Sequence, residues 1–262
     1  KEQRTISSGN RQLFADLDNK ALRLYYKDKQ ISKGNGLHSS FLINKSWYDT
    51  NSAEWQLSKQ DNTIIIKFFW KIFSLTQTWR ITLNTDKLLW QIESLADKSF
   101  NPEVIKFGLL LSEEYKVFFC GHQQTPFPQE YASWQDMALE EPQAKFFGLR
   151  KAAGLPAVTF TNQDNFTCII QNSDAISSCR ILQLGLGKEM IKDKHSLSLT
   201  TELNLLDNES AIESYLKQEQ KKLLLQQKAQ AERLKEQRTI SSGNLQLFAD
   251  VDTRSIRLYY KD

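Results

Sequence analysis

The sequence of 262 residues is poor in cysteine, glycine and proline and has no long apolar run, and each shortage excludes a class of protein. Three cysteines without CxxC spacing are too few for a disulfide framework. Ten glycines and five prolines, with 11% aromatic residues, exclude a collagen-like chain and argue against a disordered one. The apolar runs are too short for a membrane-spanning helix, which needs about eighteen residues or more.

The charge of the chain is nearly balanced, with 34 Lys and Arg against 31 Asp and Glu. This balance argues against a nucleic-acid binder, whose affinity comes largely from cationic contacts with phosphates. The first residues lack the apolar segment of a secretory signal. We expect Cys120, Cys168 and Cys179 to be small buried thiols, although Cys168 and Cys179 could face each other across a hairpin. A reducing, cytoplasmic location is therefore expected.

Motifs of common catalytic chemistry are missing from the sequence. It has no GxSxG, no phosphate-binding P-loop and no HExxH. Cys120 and His122 are close together, but no further Cys or His follows at the spacing of a zinc site. The sequence therefore predicts no cofactor, no metal and no assignable catalytic residue.

An internal repeat determines the predicted domain organisation. Residues 1–28 and 235–262 are identical at 22 of 28 aligned positions, at a constant offset of 234 residues. One of the differences replaces Leu22 by Ile256, which keeps an apolar side chain at a strand position. A period of this length is the size of a domain, so we expect tandem modules that each have their own core.

Short apolar stretches with a period of two dominate residues 1–207. Alternation is clear in Trp79–Leu83 and in Leu197–Leu203. About twelve such stretches with short turns and no intervening helices predict an all-β fold, a large antiparallel β-sandwich. Residues 121–155, rich in proline, glutamine and aromatics, are predicted to form a long loop that carries a binding site.

Residues 208–238 contain no glycine or proline and many good helix formers, which predicts a long α-helix. Its thin apolar stripe favours a solvated linker over a coiled coil. The predicted domains are therefore a β-sandwich module (1–207), a helical linker (208–238) and the first hairpin of the next repeat (239–262, a copy of 5–28). Two equivalent hairpins would compete for one place, so we expect the second to pair with a neighbouring chain or stay poorly ordered.

Aromatic side chains give the strongest indication of a ligand. A flat ring stacks on the apolar face of a sugar while amides, carboxylates and arginines bind its hydroxyls. Strand tryptophans usually fill a core, but Trp79 lies next to Arg80 and close to a tight turn, so either role is open. Trp134 and His122 belong to the predicted long loop, where core packing explains them less well.

Three stretches together resemble the galactose-mutarotase-like supersandwich. They are a first hairpin ending in Tyr25-Tyr26, the loop 33–40, and Gln77–Ile81 leading into Leu88–Ile92. The resemblance covers roughly residues 5–206 and is to the sugar-recognising domains of bacterial polysaccharide-synthesis and glycan-processing proteins. It implies a β-sandwich and a saccharide ligand.

Catalytic members of that family use a histidine pair and a late glutamate. Here His38 and His122 are far apart in sequence, and Glu202 is the only late strand carboxylate, so this sequence departs from the pattern.

We expect a non-catalytic carbohydrate-binding module, repeated in tandem. Its expected partner is an oligo- or polysaccharide, with no nucleic acid, no membrane span and self-association through the duplicated hairpin. The candidate ligand-binding residues are Arg80, His122, Trp134, Trp79 and His38. Two alternatives stay open: a sugar epimerase, mutarotase or lyase that uses His38, His122 or Glu202 as acid and base, and a structural or assembly module that carries the helix.

Overall fold

The structure is a computed structural model that describes most of the chain in two compact units. The units are Lys1–Ala211 and Ile212–Asp262. The described residues are 4–85, 87–96, 102–162, 166–175, 177–187, 196–207, 209–237, 239–242, 244–250 and 255–260.

The first unit is built from short strands, with 3-10 helices at Thr50–Ser52 and Lys71–Phe73. Its strands are β1 Thr5–Ser8, β2 Arg11–Asp16, β3 Ala21–Tyr26, β4 Lys29–Gln30, β5 Ser32–Ile43, β6 Ser46–Asp49, β7 Glu54–Gln60, β8 Thr63–Trp70, β9 Leu75–Leu83, β10 Lys87–Ala96, β11 Val104–Ser112, β12 Val117–Cys120, β13 Gln123–Pro126, β14 Gln135–Asp136, β15 Phe146–Arg150, β16 Ala157–Thr161, β17 Thr167–Ser173, β18 Cys179–Gly187 and β19 Ser196–Leu206.

These strands form two large sheets. One has the order β1-β2-β3-β5-β11-β18-β17-β14, with β4 beside β3 and β6 beside β5. The other has the order β13-β12-β15-β16-β19-β10-β9-β8-β7. Neighbouring strands are antiparallel apart from a parallel bridge between Leu22 of β3 and Gly36 of β5. One hydrophobic core contains side chains from both sheets, so the predicted mostly-β sandwich is confirmed.

Alternation along strands such as β9 separates the core from the outer face of the sandwich. On β9, Gln77, Trp79 and Ile81 are buried, whereas Arg80 between them is exposed. The Trp79 ring lies 4.5 Å from the Phe68 ring and 4.7 Å from the Trp90 ring, measured between centroids. Trp79 is therefore a core residue. The strand forms here because a period of two turns Gln77, Trp79 and Ile81 to the same buried face.

The long loop predicted for residues 121–155 is wrong in part, because this segment contains β13, β14 and β15. Phe146–Arg150 is a fully buried strand in the second sheet, paired with β12 and β16. A five-residue strand buried on both faces shows no alternation, so its apolar run was not separable from a loop. The strands β4 and β14 have two residues each, too few for the two-residue period to repeat, and were likewise missed.

The three cysteines are free and buried, as predicted, so Cys168 and Cys179 do not form a disulfide. A hydrogen bond with Cys120 and burial raise the pKa of the Cys168 thiol, and burial raises the pKa of the Cys179 thiol to about 11. Neither thiol is therefore an activated nucleophile at neutral pH.

The second unit contains a small sheet and most of a helix that begins three residues before the unit does. The helix α1 is Glu209–Gln237, and the sheet contains β20 Thr239–Ser242, β21 Leu245–Asp250 and β22 Ser255–Tyr260 in that order. The role of α1 as a linker between modules stays a prediction. Where the structure describes the chain, it contains no helix with the length and apolar character that crossing a bilayer requires.

Replacing Trp79 by alanine tests its place in the core. Since the ring is fully buried, we expect Trp79→Ala to lower the free energy of unfolding by about 3–5 kcal/mol. Urea denaturation followed by circular dichroism measures the change. Ile72→Ala is the matched control, because this side chain is 77% exposed and its loss should change stability by less than about 0.5 kcal/mol. A Trp79→Ala protein as stable as the control would contradict the assignment.

Candidate functional site

A cleft of about 640 Å³ lies on the first sheet, on the face that points away from the shared core. Its floor is formed by β5, β11, β18 and β17, and β6 and β14 lie at its two sides. The side chains that line it are those of Asn35, His38, Ser40, Trp47, Asp49, Lys106, Leu110, Trp134, Asp136, Gln171 and Gln183.

Strand alternation places these polar side chains together. On β11, Phe107 and Leu109 enter the core, whereas Lys106 and Leu110 line the cleft. The same parity on β5, β17 and β18 turns His38, Gln171 and Gln183 toward the cleft. Antiparallel register then aligns them across the sheet, so residues distant in sequence share one surface.

The centre of the floor is a hydrogen-bonded pair between His38 and Gln183. Gly108 lies between them in the register, opposite His38 on one side and Gln183 on the other. The Nε2 atoms of His38 and Gln183 are 3.1 Å apart. A β-carbon on Gly108 would lie 2.4 Å from Gln183 Cγ and 2.5 Å from the Leu182 carbonyl oxygen. The missing side chain at Gly108 is therefore what allows this pair to form.

The His38 imidazole has its tautomer set by its partners. Its Nδ1 lies 3.2 Å from the Gly36 carbonyl oxygen, which only accepts, so Nδ1 carries the proton. Nε2 then accepts from the Gln183 amide. Burial lowers the pKa of His38, against the raising effects of the Gly36 carbonyl and Asp49. His38 is thus a neutral, fully bonded group that positions Gln183.

Trp134 stands at one side of the cleft on a strained backbone. Its φ is +55°, a left-handed conformation that bulky residues rarely adopt and that is often found at binding sites. The Trp134 backbone N–H donates to Ser173 Oγ at 3.1 Å. Asn172 Nδ2 donates to the Glu130 carbonyl oxygen at 2.8 Å, which fixes the preceding residues.

A buried arginine supports the same segment from below. The Arg180 guanidinium donates to Asn172 Oδ1 and to the Tyr115 carbonyl oxygen, the latter at 3.2 Å. It also stacks on the rings of Phe127 and Tyr131, at 4.2 and 4.6 Å from their centroids. The backbone that carries Trp134 is therefore held in place, while 48% of the residue's surface stays exposed.

The opposite side of the cleft carries a second half-exposed tryptophan. Trp47 is 52% exposed, and Lys106 Nζ lies 5.0 Å from the centre of its ring. Burial lowers the pKa of Lys106, and the charge of Asp136 opposes this shift. Asp49 is fixed because its carboxylate accepts from the Asn51 backbone N–H at 3.0 Å. Two rings, one ammonium and two carboxylates thus face one space.

Three amide oxygens of the cleft-lining residues have no hydrogen-bond donor in the described part of the protein. They are Asn35 Oδ1, Gln171 Oε1 and Gln183 Oε1. The amide nitrogen of Gln171 donates a hydrogen bond to Asp136 Oδ1 at 2.8 Å. Buried acceptors without donors are costly, and a ligand rich in hydroxyl groups would satisfy them after small side-chain rotations.

The structure brings together two of the five predicted site residues, His38 and Trp134. Trp79 is fully buried in the core, and Arg80 is exposed on the outer face of the other sheet. His122 is exposed in the turn between β12 and β13. None of these three is among the described residues that line the cleft.

Several cleft residues were missed by sequence reasoning. Their signal is a polar residue inside an otherwise apolar strand: Lys106 in β11 and Gln183 in β18. Trp47 and Asp49 lie on the short strand β6, which is not an apolar run, so no residue stands out there as a polar exception.

The described residues contain no group of three or more His, Cys, Asp or Glu side chains arranged to hold a metal ion. Within the cleft, two carboxylates, one ammonium and one neutral imidazole are the charged or titratable groups. This arrangement suits recognition of hydroxyl groups through hydrogen bonds.

Comparison with known proteins identifies the fold. No protein-family model matches the sequence, and no curated protein sequence matches it. A galactose mutarotase related enzyme from Lactobacillus acidophilus is similar in structure, with a TM-score of 0.51 and 7% identity over 78% of this chain and 97% of that one. A protein of Synechocystis sp. PCC 6803 also has a TM-score of 0.51 and 7% identity, over 79% of this chain and 96% of that one.

A third similar structure is the α-N-acetylgalactosaminidase NagBb from Bifidobacterium bifidum in complex with GalNAc. Its TM-score is 0.58 at 9% identity, over 80% of this chain and 37% of that chain. At such identities the likeness shows the fold. The fold is that of the galactose-mutarotase-like supersandwich, and the predicted resemblance is confirmed at that level.

Adding one methyl group at Gly108 tests the packing of the floor. Because its β-carbon would overlap Gln183 and the Leu182 backbone, we expect Gly108→Ala to lower the free energy of unfolding by about 1–3 kcal/mol. Gly187→Ala is the matched control, since no atom of the described residues lies within 4 Å of a β-carbon there and φ is not positive. Equal urea midpoints for the two variants would show that the floor has room.

The pH dependence of stability tests the buried imidazole. An unfolded chain protonates His38 below its ordinary pKa of 6.5, whereas the folded chain resists protonation because burial lowers that pKa. The unfolded state then binds more protons, so stability is highest above pH 6.5 and falls as the pH decreases, by up to ~1.4 kcal/mol per pH unit. We expect His38→Gln to flatten this slope in urea titrations between pH 7.5 and 5. The control is His122→Gln, which removes an exposed histidine, and equal slopes for both variants would refute the buried neutral state.

Proposed function

We propose that the sandwich is a non-catalytic carbohydrate-binding module and that the cleft holds an oligo- or polysaccharide. The observation that carries this proposal is the pair of half-exposed tryptophans, Trp47 and Trp134, on opposite sides of one polar cleft. Both rings face the same cleft, so they offer two flat apolar surfaces to one ligand, and sugar rings have an apolar face that packs on such a surface.

The polar groups support a neutral sugar. Lys106 contributes one positive charge and Asp49 and Asp136 contribute two negative ones, so the cleft has no excess of positive charge to attract an acidic polymer. Gln171 and Gln183 offer unpaired carbonyl oxygens that hydroxyl groups would satisfy. The strained but anchored backbone of Trp134 supports a preorganised platform, which reduces the entropy lost on binding.

The alternative of a sugar epimerase, mutarotase or lyase has less support. His38 has both ring nitrogens bonded to protein groups, which leaves neither free for proton transfer. Glu202 forms an ion pair with Lys87 at 2.6 Å on the second sheet. Neither Glu202 nor His122 is among the described residues of the cleft, so the three candidate acid and base groups do not share one site.

The proposal extends to the organisation of the chain. The repeat at a 234-residue offset supports tandem sandwich modules, with residues 208–238 as the helical linker and 239–262 as the beginning of a further module. Linked copies raise the effective concentration of sites along a polysaccharide without any new contact. A place in a bacterial glycan-synthesis or glycan-processing protein and a cytoplasmic location stay predictions.

Alanine substitutions at the two tryptophans test the proposal. In calorimetric titrations against a panel of neutral oligosaccharides, we expect the full chain to bind at least one of them. Trp47→Ala and Trp134→Ala should each weaken that binding at least about tenfold, the equivalent of ~1.4 kcal/mol of lost stacking. The matched control is Ile72→Ala, which removes an exposed apolar side chain outside the cleft and should leave affinity unchanged.

Two results would refute the proposed binding module. One is the absence of binding to every saccharide of the panel, and the other is unchanged binding by both tryptophan variants. Release of product or anomeric exchange in NMR spectra, abolished by a cleft substitution, would favour the enzyme instead.

A further inference from the structure

The two copies of the repeat form the same three-stranded meander. In the first copy, where β1 pairs with β2, Thr5 lies opposite Phe14 and Ser8 opposite Arg11. In the second copy, where β20 pairs with β21, Thr239 lies opposite Phe248 and Ser242 opposite Leu245. The pairing of β2 with β3 and of β21 with β22 is likewise in the same register. We call residues 5–26 the first meander and residues 239–260 the second meander.

The same apolar face is buried in the first meander and exposed in the second. The first meander contributes to the shared core, where β1 contacts β8 and β9, and β2 contacts β9. Equivalent side chains have these exposed fractions: Leu22 0% and Ile256 71%, Leu24 0% and Leu258 65%, Tyr26 2% and Tyr260 69%. Exposed apolar patches on one face of a sheet mark a surface that binds a partner.

The second meander also has a free edge where the first one is paired. Leu22 of β3 bridges Gly36 of β5, and the Leu24 N–H donates to Ser32 Oγ at 2.9 Å. Among the described residues, β22 pairs only with β21. An unpaired strand with an apolar face readily adds to another sheet. The apolar face and the unpaired edge of the second meander both fit one surface of a sandwich: the face fits β8 and β9, and the edge fits β5.

We infer that the second meander serves as the first meander of another copy of the sandwich. Where the first meander of that copy is weakened or absent, the occupant of the apolar face is a second copy of this chain, with β5, β8 and β9 in the arrangement that already binds residues 5–26. The first unit thus already contains this interface, formed by the first meander on β5, β8 and β9. The sequence repeats one of its two sides, the meander. Such an exchange of identical elements is a low-cost route to assembly.

Competition with the first meander controls this exchange. The first meander is tethered to its own sandwich, which gives it an effective concentration on the order of millimolar. It also carries Arg11, whose guanidinium donates to the Leu205 carbonyl oxygen at 2.6 Å and pairs with Asp207. Leu245 occupies this position in the second copy and lacks that anchor. We therefore expect exchange only where the first meander is weakened or absent.

Weakening the first meander should turn the full chain into an associating protein. At ~50 µM, below the millimolar competition of the tether, we expect the unmodified chain to sediment as a monomer. Leu22→Asp places a charge in the core of the first meander, and its mean mass should at least double. Adding Ile256→Asp, which alters the exposed equivalent, should restore the monomer. The matched control adds Ile72→Asp, an equally exposed site outside the meanders, and should leave association intact.

Three results would overturn the inference. One is a monomeric Leu22→Asp chain at every concentration, and another is association that persists with Ile256→Asp, which would indicate nonspecific aggregation. The third is a Leu22→Asp monomer that melts higher than Leu22→Asp/Ile256→Asp, because the second meander would then bind its own sandwich. Circular dichroism checks for retained strand, and Leu22→Ala in the same series replaces Leu22→Asp if the charged variant does not fold.

Discussion

Strands β11 and β18 lie at the centre of the first sheet and bury both faces, and the rest of the site depends on that constraint. One face joins the core shared with the second sheet. The other forms the floor of the cleft, where polar side chains also lie away from solvent. A polar group in such a place is costly unless it is hydrogen-bonded, so each polar side chain on the floor needs at least one partner from another strand. The amide nitrogens of Gln171 and Gln183 have such a partner, and their oxygens stay without a donor among the described residues.

The chain meets this requirement at its centre through a residue without a side chain. Gly108 leaves the gap across which His38 and Gln183 bond, and the Gly36 carbonyl fixes the other side of the imidazole. The pair resembles structural networks of buried polar groups more than a proton-transfer site. The bonded floor and the anchored backbone of Trp134 together hold the cleft in one shape, and the half-exposed side chains of Trp47 and Trp134 lie at its two sides.

The amount of this fold that could be predicted from sequence follows the periodicity of its strands. Strands with one face toward solvent, such as β9, alternate, so the sandwich and the core side of Trp79 were accessible to pattern reasoning, although the ring's role was not. The strand Phe146–Arg150 is buried on both faces, carries no period and was mistaken for loop. His38 and Trp134 drew attention by residue type alone. Trp47 was inaccessible because its exposure follows from β6 being added beside β5, a pairing that no local pattern specifies.

The repeat shows the same limit from the other direction. Local preferences of residues 5–26 suffice for the meander, since 239–260 adopts the same register in a separate unit. Burial is not part of those preferences: Leu22 has no exposed surface and Ile256 has most of its surface exposed. A strand pattern therefore specifies which face is apolar, and the partner determines whether that face is covered. In this chain the surface that covers the face, formed by β5, β8 and β9, occurs once, in the sequence between the two meanders. Two meanders therefore compete for one surface, and the first meander occupies it because its short connection to the sandwich gives it the higher effective concentration.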